Sequence, residues 1–357
     1  MIFMTEMPLL RWQAFLARTA VWMLAIFLAL QTVVVSAATI SDIDYRLGEG
    51  LRIPDSGFKL GGYASAGYGS APSQPASIAL NNLSLSIWWE GEDRWKFFAE
   101  FDSENTMGSG NVGDSDGKSY ISLERMYADY ALNDKTSIRA GKFLTPVGRW
   151  NLVHAAPLVW TTSRPMAPSD VFPTNVTGLM VNGRLSVAEH ELEYSTYASN
   201  GSELRPNPAI DSFSKVFGLH LNLSMFPDSQ LGLSYATFEQ TRSEGEHKQL
   251  VGMDWLWTHK RYELSAEGVY RFSGKGSAWD ERGAFVQMVM PLALKLYAVG
   301  RYESFHTTLQ PEATRRYVLG LNYRVTPAIV LKAEWIDAKN NSNNAPIGLL
   351  ASGSVLF

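Results

Sequence analysis

Across residues 57–357 the chain repeats one theme: about ten residues of alternating apolar and polar side chains, then a break. A period of two places alternate side chains on opposite faces of a strand. In 78–89, Leu83, Leu85, Ile87 and Trp89 share one face, and Ser84 and Ser86 share the other. In 214–225, Phe217, Leu219, Leu221 and Leu223 alternate with Gly218, His220, Asn222 and Ser224. The pattern predicts strands at 58–68, 78–89, 95–102, 119–132, 136–143, 177–187, 190–198, 214–225, 230–239, 248–258, 262–272, 282–290, 294–303, 315–323, 328–337 and 347–357. Parity within 119–132 changes near Glu124, which predicts a β-bulge.

The breaks between these strands alternate in length. Short ones (90–94, 133–135, 188–189, 226–229, 259–261, 291–293, 325–327) take turns with longer ones (69–77, 105–118, 144–176, 199–213, 240–247, 273–281, 305–314, 338–346). A soluble sandwich has no reason to produce this asymmetry. A transmembrane antiparallel β-barrel has one, with tight turns at one end and longer external loops at the other. The expected fold is therefore all-β, a barrel of about sixteen strands, wide enough for an aqueous channel.

Aromatic positions agree. Trp88, Trp89, Trp95, Trp255, Trp257, Tyr262, Tyr323 and Phe357 fall near the short breaks, and Tyr270, Tyr302 and Trp335 nearer the long ones. Two such belts at the ends of an apolar band suit the two membrane–water interfaces.

Composition narrows the picture. The 357 residues carry a formal charge of -4, which gives no case for nucleic acid. There is no cysteine, so disulfides and thiolate metal sites are excluded. Arg11 and Arg18 precede an apolar run from Ala20 to Val35, and Val35-Ser36-Ala37 has the spacing of a cleavage site. Residues 1–37 thus have the layout of a secretory signal, with a single membrane anchor as the alternative. Residues 38–56 are expected to form a short periplasmic segment, and 57–357 the barrel.

By parity, the charged residues facing water include Lys96, Arg125, Arg139, Lys295, Arg301 and Arg316 on the positive side and Glu100, Asp129, Glu263, Glu267, Glu303 and Glu334 on the negative. The signs balance, so the wall alone sets no ion preference. The break at 144–176 is the longest and is rich in proline and large aromatics. So long an irregular segment is uncommon unless it is functional. It is expected to fold into the barrel mouth, placing Arg149, His154, Arg164 and Asp170 at a constriction. A loop lying across the external surface is the alternative. Asp114 and Asp116 hint only faintly at calcium, and no cofactor or metal site is expected.

The final strand, with Leu349, Ala351, Gly353, Val355 and Phe357 on one face, resembles that of bacterial outer-membrane barrel proteins. The resemblance implies that the barrel-assembly machinery reads the terminal aromatic. Gly141-Lys142-Phe143-Leu144-Thr145-Pro146-Val147-Gly148-Arg149, with Ala155-Ala156-Pro157-Leu158-Val159, Thr177-Gly178-Leu179 and Glu124-Arg125-Met126-Tyr127-Ala128-Asp129-Tyr130, resembles the phosphate-selective porin O/P family. That implies a sixteen-stranded homotrimeric porin of the Gram-negative outer membrane, with an inward-folded third external loop. The chain lacks a dense arginine ladder or lysine cluster, so selectivity for phosphate is not carried over. Passive diffusion of small hydrophilic solutes and ions, anions such as phosphate among them, is the expected function. The alternatives are a barrel enzyme of lipase or protease type and a sealed structural barrel. His154, Ser163, Ser169 and Asp170 share one loop, but no G-x-S-x-G motif accompanies them.

Overall fold

The computed structural model describes residues 44–71, 76–109, 120–153, 155–167, 171–207, 210–243, 245–273, 280–307, 312–341 and 346–357. The proposed signal (1–37), the start of the periplasmic segment (38–43), Asp114, Asp116, His154, Ser169 and Asp170 lie outside the described residues.

Two short strands, β1 (Asp44–Arg46) and β2 (Gly50–Arg52), form a hairpin within 38–56, where the alternation predicted no strand. β2 adds to the start of β3 through Leu51↔Leu60. Then come β3 (Phe58–Ser70), β4 (Ser77–Glu90), β5 (Trp95–Ser109), β6 (Tyr120–Asn133), β7 (Thr136–Leu144), β8 (Asn175–Val187), β9 (His190–Asn200) and β10 (Phe213–Phe226). They are followed by β11 (Ser229–Gln240), β12 (Lys248–His259), β13 (Tyr262–Ser273), β14 (Glu281–Pro291), β15 (Leu296–Thr307), β16 (Thr314–Arg324), β17 (Ile329–Lys339) and β18 (Gly348–Leu356). Setting aside the hairpin, eighteen less two leaves a closed antiparallel barrel of sixteen strands. All sixteen lie where the alternation placed them, most ends shifting by one to three residues.

Each strand pairs with its neighbour in sequence, and β18 closes on β3 from Leu349↔Ser70 to Leu356↔Tyr63. Beyond the strand, Phe357 and Gly62 exchange two backbone hydrogen bonds of 2.9 Å. Closure removes the unpaired edges that a membrane does not tolerate. Between β5 and β6 the register moves from Glu100↔Arg125 to Phe101↔Leu123, so Glu124 is the extra residue of a bulge. A second bulge, which the pattern did not signal, falls between Leu80 and Asn82.

Outward positions are large and apolar: Leu85, Leu179, Phe217, Met253, Leu319 and Trp335 are exposed. Near the short turns Phe58 packs on Trp89 and Trp95 on Tyr130, and nearer the long loops Tyr302 packs on Tyr317. Ser84, Ser86, Glu100, Asp254, Glu267 and Arg301 alternate with the apolar set and are buried. The inward face is not polar throughout. Tyr197, Val216, Ala236, Phe238, Leu250, Val269 and Phe305 occupy inward positions and form one apolar cluster with Val147, Met166, Ala167, Val171 and Phe172. Those five belong to the long connection between β7 and β8.

Candidate pore and its long loop

Among its described residues the β7–β8 connection has no strand; it carries a short 3-10 helix, Trp150–Val153, and helical residues at Met166–Ala167. A segment of this kind carries backbone N–H and C=O groups that must find partners once buried. Inward side chains of the wall supply many of them. Glu267 accepts the N–H groups of Arg149 and Trp150, each at 3.0 Å. Glu334 accepts those of Thr162 (3.1 Å) and Ser163 (2.6 Å), and Glu303 that of Met166 (2.8 Å). Wall donors reach the carbonyls: Arg271 to Val171 (2.9 Å), Asn322 to Trp160 (2.9 Å), Lys332 to Ala156 (2.5 Å) and Arg316 to Arg164.

The entry is tied down locally. Thr145 donates its hydroxyl to Pro173 O at 2.6 Å, and Asn151 donates to both Thr145 O and Thr174 O. Gly148 has φ +63°, and a Cβ there would lie inside the Glu267 carboxylate, so only glycine lets the loop press this closely on β13.

Of the expected constriction residues, Arg149 turns its guanidinium to Gln230 of β11 (2.7 Å). Arg164 lies 5.9 Å from the Trp150 ring. His154 and Asp170 are outside the described residues.

The expected wall residues divide. Arg125 pairs with Glu100 (2.5 Å) over the ring of Phe98, and Arg139 with Asp129 (2.7 Å) over the ring of Tyr127. These two guanidinium side chains remain 27% and 23% exposed. They line a cavity of about 360 Å3 with Asn182 and Ser195 of the wall and Pro146 and Leu152 of the loop.

Arg301 and Arg316, expected to face open water, do not. Their side chains are 0% and 2% exposed, and both pair with Glu303. Arg301 also donates to Thr161 Oγ1, Ser163 Oγ and Ser163 O. The loop covers them, because a loop of this length needs partners that the charged wall can give. Lys96 sits at the short-turn end, exposed and paired with Glu90. Lys295 falls in a turn rather than a strand and donates to Val325 O at 2.6 Å.

Sequence reasoning missed three features. The first is the inward aromatic pair Phe98 and Tyr127, 5.4 Å apart beneath the two arginines. Its signal was present in the strand parity. The second is the apolar seam between loop and wall. The third is the buried pair Lys142–Glu203 (2.6 Å), formed on the outward side of β7 where residues 203–205 pack over it.

Ser163, considered as a nucleophile, is buried and held by Arg301. His220 and Ser234 are 2.9 Å apart, but the serine hydroxyl also takes the N–H of Gly148 beneath the loop.

The closed antiparallel architecture is a porin-type barrel. No protein-family model matches the chain. An anion-selective porin from Comamonas acidovorans superposes with a TM-score of 0.54 at 10% identity, over 85% of this chain and 98% of that one. OmpF of Salmonella typhi superposes with a TM-score of 0.62 at 10% identity, over 84% and 97%. The trimer form of OmpT, an outer membrane protein of Vibrio cholerae, gives 0.55 at 10% identity, over 84% and 99%. Among curated sequences, an uncharacterized protein of Aquifex aeolicus is 30% identical over 149 residues, 41% of this chain. The match spans about a third (32%) of that relative's length.

Proposed function

We propose that the chain is an outer-membrane porin, a passive channel for small hydrophilic solutes and ions, narrowed by the β7–β8 loop. One observation carries this reading. The loop takes up the partners offered by the β11–β18 wall, yet beside Arg125 and Arg139 a polar cavity of about 360 Å3 remains. The solute path then runs between the loop edge at Pro146 and Leu152 and the arginine-bearing wall. Arg149 and Arg164 act at the constriction by holding the loop and by adding positive charge near the path.

A homotrimer, export by a cleaved signal and a place in the Gram-negative outer membrane belong to the same reading. The trimer form of the Vibrio OmpT structure supports the first. The O/P-like motifs and the anion-selective Comamonas neighbour favour small anions.

Planar-bilayer recording of the purified, folded barrel tests the proposal. Steady conductance proportional to salt, with a reversal potential that marks anion preference, is expected. No conductance from verified folded barrels sinks the channel reading in favour of a sealed barrel, which the apolar seam already half resembles. Hydrolysis of ester or peptide substrates by the same preparation supports the enzyme reading instead.

A further inference from the structure

A second cavity, of about 200 Å3, lies between the loop and the inner wall of β12–β14. The loop lines it with the indoles of Trp150 and Trp160, and the wall with Glu263, Ser265, Glu267 and Gln287. Glu263 accepts the Trp160 indole N–H at 2.9 Å. Glu267 is 3% exposed, and its Oε1 has no hydrogen-bond partner. Neither carboxylate makes an ion pair among the described residues. Arg149 borders the cavity but commits its guanidinium to Gln230, and Arg324 stacks on Trp160 at 4.3 Å. Asp254, directly across the ladder from Glu267, is also buried and leaves Oδ2 without a partner. The lining itself thus holds two carboxylates and one arginine, with Asp254 behind Glu267 and Arg164 and Arg324 over the two indoles.

We infer that this cavity binds a small organic cation, an ammonium compound whose charge lies at Glu263 and Glu267 and whose carbon skeleton packs on Trp150 and Trp160. Buried carboxylates without a cation are costly, and a ligand ammonium would complete them. Both indoles already attract positive charge, Arg164 at 5.9 Å from Trp150 and Arg324 at 4.3 Å from Trp160, and a ligand ammonium would be drawn to the same rings. A metal ion fits less well: among the described residues no group of three or more His, Asp or Glu is placed to hold one. An anion meets two carboxylates, and a neutral sugar leaves their charge unmatched. Entry from the lumen is required but conduction is not, so this inference and the channel reading fail separately.

The test is tryptophan fluorescence of the folded barrel in detergent, titrated with tetramethylammonium chloride. Sodium chloride at equal ionic strength is the reference, and tert-butanol is the neutral probe. A saturable change with tetramethylammonium alone is expected. E263Q should weaken it about tenfold. W160F keeps both carboxylates and should remove most of the signal, so it decides the matter where E263Q does not fold. No saturation below about 100 mM, where binding is no longer specific, overturns the inference. So does an equal response to tert-butanol, or unchanged affinity in E263Q. Carboxyl groups that hold protons rather than a ligand give the first of these results.

Discussion

Arg139 and Arg316 stand at inward positions of the same barrel, each ion-paired to a carboxylate on a neighbouring strand. Arg139 keeps 23% of its side chain exposed, whereas Arg316 keeps 2%. Nothing in their own strands separates them. The difference is the loop. Against β13–β18, carboxylates and cations of the wall satisfy loop backbone groups, and the loop excludes water in return. Beside β6–β9 the arginines are matched by Asp129 and Glu100 and backed by aromatic rings, and the loop stops short of covering them. An ion pair in a lumen therefore has two possible uses. Buried, it is an anchor whose loss leaves uncompensated charge; half-exposed, it is a surface that water can meet.

The largest effect should come from breaking the covered side. Glu303→Ala leaves Arg301 and Arg316 facing each other with the Met166 N–H unpaired. A loss of about 3–5 kcal/mol is expected in urea unfolding of the folded barrel. An unchanged unfolding midpoint would deny that Glu303 anchors the loop.

Val171→Asp attacks the apolar seam instead. Val171 is 0% exposed within that cluster, and a carboxylate there would be buried among apolar side chains. About 2–4 kcal/mol of destabilisation is expected, with higher and noisier conductance as the loop detaches. Quiet channels of wild-type size in this variant would show that the seam does not hold the loop in place.

On the open side the effects should be electrical rather than structural. Arg139→Ala should cost only about 1 kcal/mol, because both charges of its pair are part-exposed, and Arg125→Ala more, because it leaves the buried Glu100 with Ser84 as its side-chain donor. Each should shift the reversal potential toward cations, and the double variant more. If instead they unfold the barrel and leave selectivity unchanged, the two sectors have been assigned the wrong way round. The smallest effect belongs to Lys96→Ala at the short-turn end. Its exposed pair with Glu90 should contribute no more than about 0.5 kcal/mol, with no change in conductance.

Much of this architecture was legible because a barrel strand in a membrane has two incompatible neighbours. Lipid outside and a polar or packed interior inside force a period of two on every strand, and closure forces an even succession of short and long connections. That is why strand positions, the Glu124 bulge and the outward apolar face follow from residue order alone. Inward charge was equally legible, since Glu303, Arg316 and Arg139 share the parity that marks the lumen side.

What alternation does not encode is what the lumen side meets. Whether Arg316 touches water or a loop carbonyl depends on where residues 145–174 lie, and that path is set by contacts far apart in sequence. Gly148 on Glu267, Thr162 and Ser163 on Glu334, and Val171 among Phe238 and Leu250 bring together positions separated by dozens of residues. The inward Val and Phe positions broke the polar rule in the sequence, but without the loop they had no visible partner. Periodicity reports the face a side chain occupies, because local backbone geometry fixes it. The tertiary structure alone decides which inward charges become anchors and which stay open to water.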